Sequence, residues 1–99
     1  MGDLPFEEEW ISDSESIRTF SPEVFNEELK WHFDEEDRII EAIGETDWKF
    51  QFDNLLPMEI KEPIKIKRGE YHRLIKGSGD LKISIKRMDF STKKKMIPN

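Results

Sequence analysis

The sequence predicts an all-β domain, a sandwich or barrel of short strands, on three observations. Apolar and polar residues alternate strictly in Trp48-Lys49-Phe50-Gln51-Phe52-Asp53, in Ile64-Lys65-Ile66-Lys67 and in Leu81-Lys82-Ile83-Ser84-Ile85-Lys86. Strand side chains point to opposite faces in turn, so each run has one dry face and one wet face. Turn-formers separate the runs: Gly44-Glu45-Thr46-Asp47, Asp53-Asn54, Lys67-Arg68-Gly69 and Gly77-Ser78-Gly79-Asp80. Short strands at regular spacing read as a sandwich or barrel. Helical signals are confined to Ser21–Glu28, where an N-cap serine precedes a proline. One turn is expected there.

The elements fall in this order. Residues 1–15 read as a mobile acidic tail, because Leu4, Phe6, Trp10 and Ile11 follow no strand or helix period. Residues 16–90 are the barrel. Residues 91–99 carry Lys93, Lys94 and Lys95 and read as a frayed basic tail. Trp48, Phe50 and Phe52 are expected in the core.

A chain of 99 residues suffices for one domain with a thin core, which three Trp and seven Phe can still build. It has no cysteine, which points to a reducing compartment. No apolar run reaches membrane-span length, and Met1–Glu9 lacks the features of a signal peptide. The expected location is cytoplasmic, with no membrane partner.

A net charge of −6 argues against a nucleic-acid partner. The charge is uneven. Residues 1–53 hold 17 acids and 4 bases, whereas residues 54–99 hold 5 acids and 12 bases. Acidic and basic strands pairing across a sheet would account for this. A bipolar surface with an acidic face for a basic partner is the alternative.

Only His32 and His72 are histidines. If Trp31–Arg38 is a strand, His32 and Asp34 share a face. With His72 they could form a two-histidine, one-carboxylate set, which suits iron(II) and related divalent metals.

Here the sequence resembles the cupins. Asp37-Arg38-Ile39-Ile40-Glu41-Ala42-Ile43-Gly44 has the acid-to-glycine spacing of their first motif. Gly69-Glu70-Tyr71-His72 has the glycine-to-histidine spacing of their second. Asp34 stands where the family has its second His, Asp37 replaces its Glu, and Lys67 replaces its Pro. The resemblance implies a jelly-roll barrel, the double-stranded β-helix. It also implies metal ligands at His32 and His72, with Asp34 and Asp37 as replacements, for iron, manganese, nickel or zinc.

Arg38, Tyr71 and Arg73 are candidates for a small polar or anionic ligand, since guanidinium matches a carboxylate. Alternation turns Arg38 and Arg73 outward if Asp37 and His72 point inward. It also turns Leu29, Trp31 and Phe33 outward together, which calls for a cover. The candidates are a second subunit, giving a homodimer, or the N-terminal segment. Three functions follow: a metal-dependent cupin, a non-catalytic ligand binder, and an interaction protein using its acidic surface and tail. No phosphate loop, nucleophile elbow or zinc-type cysteine cluster occurs.

Overall fold

A computed structural model describes residues 6–23 and 27–89. Eight strands form two antiparallel sheets: β1 (Phe6–Trp10), β2 (Glu15–Phe20), β3 (Asp37–Ala42), β4 (Lys49–Phe52), β5 (Met58–Glu59), β6 (Ile64–Ile66), β7 (His72–Ile75) and β8 (Leu81–Met88). The larger sheet has the order β1-β2-β8-β3-β6 and the smaller β5-β4-β7. Beyond β7, His32 forms an isolated bridge with His72.

The pairings nest. β2 lies against β8, His32 against His72, β3 against β6, and β4 against β5. The chain therefore folds back on itself as one long hairpin wrapped into two sheets, which is the jelly-roll arrangement expected from the sequence. The three alternating runs become β4, β6 and β8. Phe20, Ile40, Ile64, Ile66, Leu81, Ile83 and Ile85 face Phe50 and Leu74 across the core. Trp48 is 1 % exposed and donates its indole N–H to the Gly79 carbonyl at 2.6 Å. Gly77 permits this closure, since a Cβ there would overlap the Asp47 carboxylate and the Trp48 ring.

The expected acidic tail contains an ordered strand. Residues 6–10 pair with β2 in the register Phe6↔Phe20, Glu8↔Arg18, Trp10↔Ser16. Glu8 accepts hydrogen bonds from Ser16 Oγ at 2.6 Å, Arg18 Nε at 2.9 Å and Arg87 Nη2 at 3.2 Å. Phe6 and Trp10 on either side lie under the Arg18 and Arg87 guanidiniums. Glu8 is thus an inward position of β1, and counting apolar residues alone hides the alternation. Removing residues 1–15 would therefore take away the edge strand of the larger sheet.

The pairing of acidic with basic strands is seen in Glu15↔Lys86 and Lys49↔Glu59. Of the stretch Ser21–Glu28, where one turn is expected, residues 24–26 lie outside the described residues, and a short 3-10 helix stands at its end, Glu27–Leu29. The expected C-terminal tail lies outside the described residues. Among the described residues, no helix is long and apolar enough to cross a membrane.

Candidate metal centre

His72 opens β7, with its side chain turned inward beside Leu74, and is 3 % exposed. The turn before it is fixed from several sides. Gly69 has φ +82°, a left-handed conformation that glycine adopts without steric cost. Its N–H donates to the Asp34 carbonyl at 3.0 Å, and the Arg68 N–H donates to Asp37 Oδ1 at 2.7 Å. The Lys67 N–H donates to Glu70 Oε1 at 2.9 Å. His32 is held opposite by two backbone hydrogen bonds with His72, at 3.0 and 2.8 Å. The two rings meet edge to face, with centroids 4.3 Å apart.

Both imidazoles have their tautomer set by the backbone. His32 Nδ1 lies 2.8 Å from the Lys30 carbonyl oxygen and His72 Nδ1 lies 2.9 Å from that of Glu70. A carbonyl only accepts, so each Nδ1 carries a proton, and each Nε2 is left to face the interior. There Nε2 of His32 is 2.9 Å from Glu28 Oε1, and Nε2 of His72 is 3.3 Å from Asp34 Oδ2. Yet His32 Nε2 and Asp34 Oδ2 are buried without a properly aligned hydrogen bond. Two ring nitrogens facing two carboxylates repel unless a cation lies between them. Protons on the rings meet that need, and so does a metal ion.

The donor set fits a divalent metal. Glu28, His32 and His72 each offer a ligand atom within 4.8 Å of the others. Imidazole with carboxylate suits iron, manganese, nickel and zinc, and the backbone-anchored Nδ1–H groups aim the rings as outer-shell partners do at metal sites.

Charge around the site is dense. Burial would raise the Glu28 carboxyl, but the His32 ring and the Arg18 guanidinium outweigh it and hold it below its ordinary value. Burial would likewise raise Asp34, but His72 and Arg38 hold it down. For His32, burial disfavours the charged ring, and Glu28 prevails to raise its pKa. Arg18, Arg38, Glu28, Asp34 and His72 line the polar end of a cavity of about 20 Å³, whose other walls are apolar. That volume holds one water-sized body.

Of the residues singled out from the sequence, His32, Asp34 and His72 come together. Asp37 is not in the His–Glu cluster: it is buried at the start of β3, where its Oδ1 holds the 67–70 turn. Arg38 departs from its expected outward orientation. In register it stands opposite Ile66 and Arg87 on the inner face, and it pairs with Glu36 at 2.7 Å and Asp34 at 3.6 Å. The alternation argument fails there because Asp37 is buried by its bond to the turn, not by facing the core. Tyr71 and Arg73 lie on the outer side, where Arg73 stacks over Trp31 at 4.5 Å. Leu29, expected outside, packs against the core. Glu28 was missed. Its signal was the four-residue spacing to His32, which a single turn brings onto one side.

No protein-family model matches the sequence, and no curated protein matches it. Solved structures do. A cupin-2 domain containing protein from Shewanella frigidimarina superposes with a TM-score of 0.57 at 16 % identity, covering 85 % of this chain and 81 % of the other. Protein NMB1881 from Neisseria meningitidis gives 0.56 at 16 % identity, over 88 % and 89 %. With the nested pairing of its strands and these two likenesses, the chain has the fold of a small cupin-like domain.

Proposed function

We propose that this protein binds one divalent metal ion inside the barrel through His32, His72 and Glu28, with Asp34 beside it. The observation that carries the reading is the pair of buried Nε2 atoms, freed by Nδ1–carbonyl bonds and turned toward carboxylates. Such an ion would supply Lewis acidity, with positions open to a small oxygen-containing ligand. The chain's own residues do the rest. The backbone bridge between His32 and His72 fixes the two donors relative to each other. Arg18 and Arg38 hold Glu28 and Asp34 ionised and bring positive charge to the cavity. Phe50 stacks on the His72 ring at 5.3 Å and excludes water from that side. The small cavity favours a ligand that approaches the rim over one enclosed by the barrel.

The test is elemental analysis and calorimetric titration with manganese, iron(II), nickel and zinc. Near one equivalent is expected in the native chain. It should be lost in His32→Ala and His72→Ala and weakened in Glu28→Gln, with circular dichroism confirming that the variants fold. No binding after loading, or full occupancy in the double His variant, would overturn the reading.

A further inference from the structure

The alternation that turns His32 and His72 inward turns Trp31, Phe33, Tyr71 and Arg73 outward, onto the outer face of the smaller sheet. Trp31, Phe33 and Tyr71 are 43 %, 43 % and 46 % exposed. Phe33 and Tyr71 meet edge to face at 5.1 Å. Arg73, stacked on Trp31, donates from Nε and Nη2 to Gln51 Oε1 at 3.0 and 2.9 Å. Gln51 in turn donates to the Leu55 carbonyl at 3.0 Å. This chain of contacts runs from Trp31 to a turn where Leu55 and Leu56 are 52 % and 83 % exposed. Large apolar groups gathered on one face mark a contact surface.

Charge identifies the occupant. Among the described residues, Arg73 and Asp53 make no ion pair, although both lie on this face. Arg73 stands opposite Gln51 in the sheet, and the Asp53 N–H is held by the Tyr71 carbonyl at 3.1 Å, so the two charges are diagonal neighbours on adjacent strands. A uniformly acidic or basic partner would meet one like charge here. A second copy meets none when the two-fold axis lies in the interface and passes between Arg73 and Asp53, because each Arg73 then faces the partner's Asp53 and the contact closes twice. We propose that this face is the self-association surface of the chain, forming a two-fold dimer around Trp31 and Tyr71, with Arg73 and Asp53 setting its register.

Sedimentation equilibrium of the full chain across a wide dilution series tests this. A dimer is expected. Arg73→Asp and Asp53→Arg should each weaken it by roughly tenfold or more, since each sets like charges against one another. The double variant, with the charges exchanged, should recover it to within a few-fold, and damage to the fold could not produce that recovery. Trp31→Ser should also weaken it. A monomer at every concentration would overturn the proposal. So would a dimer that none of these changes affects.

Discussion

Within this barrel, hydrocarbon and charge are separated by two residues along a strand. On β2, Phe20 is buried at one end and Arg18 and Ser16 follow toward the other. On β8, Leu81, Ile83 and Ile85 lead to Arg87, and on β3, Ile40 lies next to inward-facing Arg38. On β7, Leu74 gives way to His72. One end is therefore a conventional core sealed by Trp48, while the other is a layer of ions from six segments of chain. A dry end gains stability from burial. An ionic end gains little, because desolvation offsets attraction. The contrast separates the apolar core that holds the fold from the ionic layer around the proposed metal site.

The largest effect should come from the dry end. Leu81 is fully buried, and Leu81→Ala should lower the unfolding free energy by about 2–5 kcal/mol in urea titration. A loss below about 1 kcal/mol would mean that this end collapses around the gap and is not the anchor of the fold. The next effect belongs to the ionic end. Glu8→Ala leaves Arg18 and Arg87, at 11 % and 14 % side-chain exposure, without their shared carboxylate. The expected cost is about 2 kcal/mol, smaller than for a fully buried pair because the rim is partly wet. No loss at all would show that β1 contributes nothing to the layer.

The two ends differed equally in how readily the sequence disclosed them. The dry end follows from alternation, since β4, β6 and β8 repeat every second residue and their turns carry glycine. The ionic end obeys the same period with charged residues at inward positions, so a search for apolar stripes passes over it. Phe6-Glu7-Glu8-Glu9-Trp10 reads as a tail for this reason, although Glu8 completes its inner face. Arg38 misled in the same way. His32 and His72 stand out in the sequence because histidine is rare here and the cupin spacing marks both, and the structure sets their rings side by side. Glu28 does not stand out, because it reaches His32 from a 3-10 turn, where no strand rule applies.

The smallest effect concerns pH and bears on the ionic end alone. Glu28 and Asp34 are held below their ordinary values of 4.5 and 3.8. Their stabilisation is therefore present above those values and is lost as pH falls through the lower folded ones. His32 is raised above its ordinary 6.5. Its contribution is complete below 6.5 and is lost as pH rises through the folded value. Metal-free protein should then be most stable between the ordinary carboxyl and imidazole values, and melting temperature should fall on both sides. His32→Gln should remove the alkaline decline and leave the acid one. On the proposed metal-binding reading, saturating zinc or manganese should flatten the same decline in the native chain, since an ion held by His32 and Glu28 would take the place of the ring proton and would bind better as that proton leaves. An alkaline decline untouched by both treatments would place the titrating group elsewhere and leave the His32–Glu28 pair a static contact.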